Sequence, residues 1–453
     1  MTATQDEQQN TLKRAPGPHY LNPLKHFQMS KQGGLSYPAA LFEQYGPIVE
    51  IKTWPQSWFL IKSPHAFRHI FIDNAKNYTK GKLFERLKTI GGEGLFFSDG
   101  DLWMKNRRII GPYFKRGNMQ YYVDAVVASG AKGVEYVDTR FAGSEFNATE
   151  LTSRIALYVV GRAFFGMQFG EQRLDNLLQA VKDSSRFGQS LLQTVVPMTW
   201  LPNEVNRQGK KALGVMYGTI DELITEGLQR EQGEDLLTLL LDSVRSGEMT
   251  RDHLKDEMWT IVNAGHETTS TTMALMLYHL GKDPEWQSEV LSELDEVLGG
   301  RAPSFEDLLT LEKLDWTTKE TLRLYPPAPA TARQALEDDE IEGFHLPKGS
   351  LVQTQFYFAQ RDPEFWDKPE AFNPRRFATE EAESRPEYAY APFGAGGRRC
   401  LGEHFAYMEA LIVVAMILQK YRVSARDDFE VEPYLAVALR LRNGVSISLH
   451  KRN

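Results

Sequence analysis

The spacing of apolar residues along the chain predicts long helices. From residue 252 to residue 280, apolar and small residues recur at steps of three and four, as one side of a helix would place them. They are Leu254, Met258, Ile261, Val262, Gly265, Thr268, Thr272 and Leu275. We expect this helix to end at Gly281, before Pro284. A second apolar segment, Leu401 to Tyr421, predicts another helix.

β-strands are expected in two parts of the chain. One is the segment from Ile48 to Ile61, and the other is the C-terminal third, where Val445 to His450 reads as a strand. No Ser/Gly-rich or Pro-rich linker, low-complexity tract or repeat marks a domain boundary. The pattern therefore predicts a mainly α-helical protein with small β-sheets, with a polar tail over residues 1–15 and one domain over 16–453.

The composition is that of a globular protein large enough to enclose a cofactor. Of 453 residues, 42% are hydrophobic and 25% charged, and the formal net charge is -8. A net negative charge without a basic run argues against binding to nucleic acid. Met1 to Lys13 is polar, and the longest apolar run, Ala410 to Leu418, is too short for a membrane helix. We expect no transmembrane anchor and a cytoplasmic protein.

Cys400 is the sole cysteine of the chain. A single thiol cannot form an internal disulfide or a multi-thiolate metal site, so any chemistry it does is that of a nucleophile or of one axial metal ligand. Gly394, Gly396 and Gly397 would let the backbone approach a flat partner closely. Arg398 adds positive charge, and a helix start would stabilise a thiolate. The alternative is a buried structural cysteine in a glycine-rich turn.

The middle of the predicted helix over 252–280 has an unusual composition. Its segment Ala264 to Thr269 places glycine and threonine where they disfavour a helix, glycine by roughly 1 kcal/mol. Gly265 would leave room for a small ligand, and Glu267 and Thr268 can pass protons to it. The alternative is a kinked core helix whose threonine bonds back to the previous turn. His266 has no second histidine at helical spacing, so we interpret it as a satisfied polar side chain.

Two further pairs lie on predicted helices. Glu320 and Arg323 share one helix face just before Pro326 stops the helix, a pair that is common and says little by itself. Trp103 and Arg107 follow the turn at Asp99-Gly100 four residues apart, so an indole N–H and a guanidinium can hold one carboxylate. The alternative for the second pair is a surface helix with a half-buried tryptophan.

Taken together, these segments resemble one family. Phe393, Gly396, Arg398, Cys400 and Gly402 match the pattern F-x-x-G-x-R-x-C-x-G of the haem-ligand loop in the cytochrome P-450 monooxygenases. The chain also resembles the family in its AGHETT segment, in E-x-x-R, in F-x-P-x-R-F and in W-x-x-x-R. These motifs occur in the family's order over nearly the whole chain. The resemblance implies a single-domain cytochrome P-450 fold, with haem between the oxygen-binding helix and the cysteine loop.

The resemblance also implies roles for individual residues. Cys400 would be the axial thiolate of haem b (Fe protoporphyrin IX), a ligand that favours O–O cleavage. The residues expected to bind dioxygen and deliver protons are Ala264, Gly265, Glu267 and Thr268. Those expected to hold the haem are Trp103, Arg107, Arg333, Phe393, Gly396, Arg398 and Gly402. A structural network would join Glu320, Arg323 and Arg376, and Gln360, where relatives often have histidine, is expected to be a neutral departure.

The expected electron source is a separate protein. The chain shows no G-x-G-x-x-G after a strand and no fused flavin domain. We therefore expect a monomer that receives electrons from a ferredoxin or flavodoxin with its reductase. A basic patch, here called the docking patch, would receive that acidic carrier if it is more than a solvated face. Its members are Lys105, Arg108, Lys115 and Arg116.

The expected substrate is a lipophilic small molecule, with a fatty acid, terpenoid or carotenoid as candidates. The predicted pocket segments are Leu83 to Phe97, Phe187 to Leu201 and Ala328 to Thr331. They contain Phe84, Leu87, Phe96, Phe97, Leu191, Val195 and Met198. Two alternatives stay open. One is a peroxide-driven peroxygenase or hydroperoxide isomerase, which would need no proton relay; the other is a haem protein that senses or stores a ligand.

Overall fold

The structure is a computed structural model. It describes residues 13–18, 34–53, 56–141, 143–192, 199–200, 203–230, 233, 235–378, 384–435 and 438–452. Among these residues the α-helices are α1 (Ser36–Tyr45), α2 (Pro64–Arg68), α3 (Gly81–Gly91), α4 (Gly100–Ile110), α5 (Val123–Arg140), α6 (Ala148–Phe165), α7 (Glu171–Leu192), α8 (Glu204–Gln229), α9 (Leu236–Arg245), α10 (Arg251–Lys282), α11 (Pro284–Leu298), α12 (Glu312–Leu324), α13 (Phe356–Ala359) and α14 (Glu403–Lys420). Helices thus dominate the part of the chain that the structure describes, as predicted.

The strands are short and form small sheets. They are β1 (Lys13–Arg14), β2 (Ile48–Ile51), β3 (Trp58–Ile61), β4 (Tyr78–Thr79), β5 (Glu145–Asn147), β6 (Thr331–Ala335), β7 (Asp339–Ile341), β8 (Phe344–Leu346), β9 (Leu351–Thr354), β10 (Tyr421–Ser424), β11 (Pro433–Leu435), β12 (Leu439–Leu441) and β13 (Ser446–Lys451). The sheet orders are β2-β3-β9-β6-β4, β1-β8-β7, β10-β13-β5 and β11-β12. Because β1 pairs with β8, the predicted polar tail over 1–15 includes two residues of a sheet.

The chain divides into two compact units. The first comprises Met1–Arg86, Arg323–Ala371 and Glu380–Cys400, and the second comprises Leu87–Leu322, Phe372–Thr379 and Leu401–Asn453. The first unit contains the five-stranded sheet and the sheet of β1, β8 and β7. Its core includes Phe59, Phe67, Phe71 and Phe356, which are buried in one hydrophobic cluster. Ala391 and Ala395, which lie near the cysteine, belong to the same cluster. This core supports the cysteine loop from within the same unit.

The second unit is built around α10. This helix packs against α6 and α14, and α7 packs against α8. Thr250 caps the start of α10 by accepting the His253 N–H at 3.2 Å. After the helix ends at Lys282, Asp283 caps α11 by accepting the Trp286 N–H at 2.9 Å. The long apolar face of α10 is therefore buried, and a side-chain cap marks the start of this helix.

The predicted boundaries differ from the observed ones by one or two residues. α10 ends at Lys282 rather than Gly281, and the last strand begins at Ser446 rather than Val445. α14 begins at Glu403, because Leu401 and Gly402 form a turn, and it ends before Tyr421, which starts β10. Helix ends depend on caps and turns that apolar spacing does not encode, so differences of this size are expected.

Candidate functional site

The cysteine loop is shaped by two glycines with left-handed backbones. Gly394 has φ 72° and Gly396 has φ 66°, a region that side chains with a Cβ rarely adopt. A Cβ at Gly396 would overlap the main-chain carbonyl of Phe71, so only glycine allows this close approach. The Cys400 N–H donates to the Phe393 carbonyl at 2.9 Å and closes the loop. Cys400 itself is exposed, which excludes a buried structural cysteine.

A buried arginine lies beside the same phenylalanine. Arg333 is 7% exposed, and its guanidinium carbon is 5.1 Å from the centroid of the Phe71 ring. Its Nη1 donates to the Ala332 carbonyl at 2.8 Å and to Thr331 Oγ1 at 3.2 Å. Arg398 is half-buried in the short 3-10 turn just before the cysteine. Within the first unit, Phe71 thus connects Arg333 with the cysteine loop.

In the second unit, Trp103 and Arg107 lie on one face of α4, as their spacing predicts. The guanidinium carbon of Arg107 is 5.8 Å from the Trp103 ring centroid, and both side chains are half-buried. Asp99 begins the helix by accepting the Gly100 N–H at 2.9 Å. Two donors suited to a carboxylate therefore lie together on this helix.

The segment from Ala264 to Thr269 lies within the continuous helix α10. Thr268 Oγ1 donates to the Ala264 carbonyl at 2.7 Å, which is the bond to the previous turn that the sequence left as an alternative. A Cβ at Gly265 would lie 3.3 Å from Val160 Cγ2 on α6. Gly265 therefore lets α10 pack closely against α6. On the side that faces α6 it leaves no room for a ligand. The exposed residue of this turn is Ala264.

Glu267 has partners that the sequence did not predict. Its Oε1 accepts from Arg440 Nε at 2.7 Å, and its Oε2 accepts from Ser185 Oγ at 3.1 Å. Arg440 lies on β12 and Ser185 on α7, so a hairpin and a second helix hold this carboxylate. Glu267 and Thr268 are neighbours in the chain, but their side chains have different hydrogen-bond partners. No local pattern could have indicated Arg440, which is 173 residues away.

Two ionisable side chains are buried near this segment. Burial lowers the pKa of His266 to about 4, and interactions with Glu267 and the Ser153 backbone oppose the shift only in part. Neither ring nitrogen makes a hydrogen bond of normal geometry to a described residue, although the Ser153 backbone interacts with the ring. Burial raises the pKa of Glu409 on α14 well above its usual range, and Thr269 opposes that shift. Burial thus favours the neutral form of both side chains.

The predicted glutamate–arginine network is present in two parts. Glu320 is fully buried, and its Oε1 accepts from Arg376 Nε at 3.0 Å and from the Asn373 N–H at 2.8 Å. Arg323, also fully buried, donates to main-chain oxygens. These are Gln360 O at 2.9 Å, Pro369 O at 2.7 Å and Ala371 O at 3.1 Å.

Gln360 makes two hydrogen bonds that belong to the fold around the cysteine loop. Its Nε2 donates to the Arg323 carbonyl at 2.9 Å, and its Oε1 accepts the Ala391 N–H at 2.9 Å. The side chain is fully buried. It therefore connects the end of α12 to the residues that lead into the cysteine loop. The amide can do this because it both donates and accepts.

The remaining predicted residues have mixed outcomes. All four members of the docking patch are exposed. Of the predicted pocket residues, Phe84, Leu87, Phe97 and Leu191 are buried, and Phe96 is 43% exposed. Val195 and Met198 lie outside the described residues. Among the helices that the structure describes, none is long and apolar enough to cross a membrane.

The chain is similar to proteins of one family. The family model described as cytochrome P450 matches residues 15–443. A cyclooctat-9-en-7-ol 5-monooxygenase from Streptomyces melanosporofaciens is 30% identical over 431 residues, covering 91% of this chain and 90% of that protein. The chloroplastic carotene epsilon-monooxygenase of Arabidopsis thaliana is 28% identical over 438 residues, covering 90% and 80%. The crystal structure of the cytochrome P450DA haem domain has the same fold, with TM-score 0.82, 24% identity and 98% coverage of both chains.

The family model that matches residues 15–443 defines the class of this protein as a haem-thiolate oxidoreductase. The chain belongs to the cytochrome P450 family. It is a monooxygenase of that family, whose haem has a cysteine thiolate ligand. The residues present fit this group, because the loop brings its backbone close to Phe71 and leaves the sulfur of Cys400 exposed.

Proposed function

We propose that Cys400 supplies the thiolate and that the cofactor is haem b. The observation that carries this proposal is the geometry of the cysteine loop, in which Gly396 fits against Phe71 and the sole cysteine is exposed. The bound haem would supply the oxidising chemistry that cleaves dioxygen and inserts one oxygen atom into a lipophilic substrate. The protein would bind, orient and protonate the reactants.

Donor side chains would hold the cofactor's carboxylates. Trp103 offers an indole N–H, and Arg107, Arg333 and Arg398 offer guanidinium groups, which suit propionates. These side chains are buried or half-buried. Their charge-assisted hydrogen bonds to a carboxylate would therefore be stronger than those of fully exposed side chains. Around the sulfur, Phe393, Gly396 and Gly402 would shape the loop.

Glu267 and Thr268 would move protons to bound dioxygen. The Thr268 hydroxyl can exchange its bond to the Ala264 carbonyl for one to a ligand, because a hydroxyl rotates freely. Glu267 would carry protons inward from solvent, since its side chain is 26% exposed and held by Arg440. A carboxylate and a hydroxyl next to each other can together act as a general acid.

The proposed substrate is an isoprenoid, such as a terpenoid or carotenoid, rather than a fatty acid. The related monooxygenases described above are named for carotene and for cyclooctat-9-en-7-ol, which are large apolar molecules. The predicted pocket residues are apolar and aromatic, which suits such a molecule. Titrations that follow the haem absorption spectrum with carotenes, terpenoid alcohols and fatty acids would rank these classes by affinity. Selective response to fatty acids would contradict the proposal.

The proposed electron donor is a separate ferredoxin or flavodoxin with its reductase, which docks on the docking patch. The four side chains of this patch are exposed on a protein with a formal net charge of -8. A local basic surface on an acidic protein favours an acidic partner through electrostatic steering. Turnover of the purified protein with a nicotinamide cofactor alone would contradict a separate donor.

The deciding experiment is the absorption spectrum of reduced protein with carbon monoxide, for wild type and Cys400→Ser. We expect a strongly red-shifted Soret band in wild type that is lost in the variant. An unshifted band in folded wild-type protein would contradict thiolate ligation by Cys400.

A further inference from the structure

Two neighbouring carboxylates of α10 hold the backbone of residues 91–97, here called the glycine segment. The Glu93 N–H donates to Asp256 Oδ2 at 2.8 Å, and the Leu95 N–H donates to Glu257 Oε2 at 3.0 Å. Glu257 is fully buried. Hydrogen bonds from amides to carboxylates are stronger than those between neutral groups. The glycine segment is therefore attached to α10 at two residues, Glu93 and Leu95. Because these residues are two apart, alternate amides of the segment face the helix.

The glycines of this segment are required by its closeness to α10. Gly92 has φ 57°, and a Cβ there would overlap the Asp256 carboxylate. A Cβ at Gly94 would overlap Thr260 Oγ1. Any side chain at either position would force the segment away from the helix. The sequence and the carboxylates thus specify the same close contact.

The segment ends in two aromatic residues with opposite environments. Phe97 is 3% exposed, and its ring centroid is 5.7 Å from that of Trp259 on α10. Phe96 is 43% exposed, and its ring packs edge-on against Phe97 with centroids 4.9 Å apart. A Cβ at Gly91 would overlap both Phe97 and Trp259. Phe97 therefore anchors the segment, and Phe96 presents an exposed aromatic face from a rigid support.

Each of the two carboxylates also has a second contact. Tyr217 on α8 donates its hydroxyl to Asp256 Oδ1 at 3.1 Å. His253 Nε2 is 3.4 Å from Glu257 Oε1 and 2.9 Å from Asn106 Nδ2 on α4. Asp256 thus has one oxygen for the glycine segment and one for α8, whereas the second oxygen of Glu257 lies 3.4 Å from His253 of its own helix. This arrangement fixes the carboxylate rotamers before any ligand binds.

We propose that Asp256 and Glu257 are positioning residues for substrate selection, which act by fixing Phe96 as one aromatic wall of the pocket. A fixed wall favours ligands of complementary shape, because binding does not have to order it. A large exposed hydrophobic side chain on such a support is suited to a bulky apolar ligand. The role of Phe96 as a pocket wall rests on the proposed function, whereas the attachment of the segment does not.

The attachment is tested by hydrogen exchange of the Glu93 and Leu95 amides in full-length holoprotein. A neutral amide oxygen accepts a hydrogen bond less strongly than a carboxylate oxygen, so Asp256→Asn and Glu257→Gln each weaken the bond to the glycine segment. We expect exchange at Glu93 or Leu95, respectively, to accelerate about tenfold. Asp252→Asn, an exposed carboxylate on the same helix, is the control. Unchanged exchange in both variants would overturn the proposal.

Selection is tested by spectral titration with two azoles that bind haem iron through nitrogen, bulky clotrimazole and small imidazole. We expect the affinity for clotrimazole relative to imidazole to change about fivefold in Asp256→Asn, in Glu257→Gln and in Phe96→Ala. Faster exchange with an unchanged affinity ratio would overturn the role in selection. Failure of the proposed function would instead appear as a missing red-shifted carbon monoxide band in wild type, while the exchange result stands.

Discussion

Glu267 and Arg440 form an ion pair in which Oε1 and Nε are 2.7 Å apart. Both side chains are partly exposed, at 26% and 17%. The pair connects the middle of α10 to the β11–β12 hairpin, where Arg440 is opposite Tyr434. The proposed proton carrier is therefore held by an element far away in the chain.

The first prediction concerns this acid. Glu267→Gln removes a transferable proton but keeps the side-chain shape. We expect product formation with dioxygen to fall by about a hundredfold, a typical contribution of general acid catalysis. Peroxide-driven turnover should change little, because peroxide already carries the protons that dioxygen requires. The measurement is product formed per oxygen consumed, with a reconstituted donor system.

Arg440→Gln is the companion variant, because it leaves the acid in place and removes only its holder. We expect a smaller loss of product per oxygen than in Glu267→Gln. Arg442→Gln on the same hairpin region serves as a control. If dioxygen-driven turnover is unchanged in Glu267→Gln, the proton relay proposed for this residue is wrong.

The second prediction concerns the buried pair of Glu320 and Arg376. Arg376→Met leaves a fully buried carboxylate without its cation, so we expect a loss of about 3–5 kcal/mol in the free energy of unfolding. Arg375→Met is a matched control one residue away, because Arg375 pairs with Glu289 at the surface. Such exposed pairs contribute about 0–1 kcal/mol. Denaturant unfolding of the holoproteins is the measurement, and equal losses would contradict a structural role for the buried pair.

The third prediction concerns pH and His266. Burial lowers the pKa of this side chain to about 4, against 6.5 in an unfolded chain. As the pH falls from 6.5 to 4, the unfolded chain therefore takes up a proton that the folded protein does not. The free energy of unfolding should fall by up to roughly 3 kcal/mol over this range from this residue. Above pH 6.5 the residue adds no pH dependence.

The variant His266→Gln should lack this component, so its stability should decline less steeply between pH 6.5 and 4. His404→Gln, an exposed histidine on α14, controls for the loss of one imidazole. Urea unfolding at several pH values measures the slopes. Identical slopes for wild type and His266→Gln would show that the folded protein protonates this ring.

The fourth prediction concerns the docking patch. Arg108→Glu and Lys115→Glu reverse exposed charges, so we expect reduction by an acidic ferredoxin to slow about tenfold or more at low ionic strength. The difference should shrink as salt is added, because salt screens exposed charges. Arg422→Glu, an exposed position on β10, is the control. Stopped-flow reduction kinetics give the rates, and equal slowing by the control would argue against a docking site.

Much of the site could be predicted because its motifs are local. The cysteine loop needs glycines at fixed offsets from Cys400, and the observed φ angle of Gly396 explains that need. The Trp103–Arg107 pair needs only helical spacing. The Glu320–Arg376 contact spans 56 residues, and resemblance to the family, rather than spacing, predicted it. The burial of His266 and the partners of Gln360 could not be predicted, because they depend on packing between distant parts of the chain.

The amino-acid sequence was enough to predict the helical class, the small sheets and Cys400 as the candidate haem ligand, because periodicity and glycine positions are patterns of a few neighbouring residues. Only the tertiary structure showed which side chains bind Glu267 and which carboxylates bind the glycine segment. Arg440, Ser185, Asp256 and Glu257 have no distinguishing local pattern. Their partners lie on elements that meet only when apolar faces pack, and packing brings together residues that are far apart in the chain.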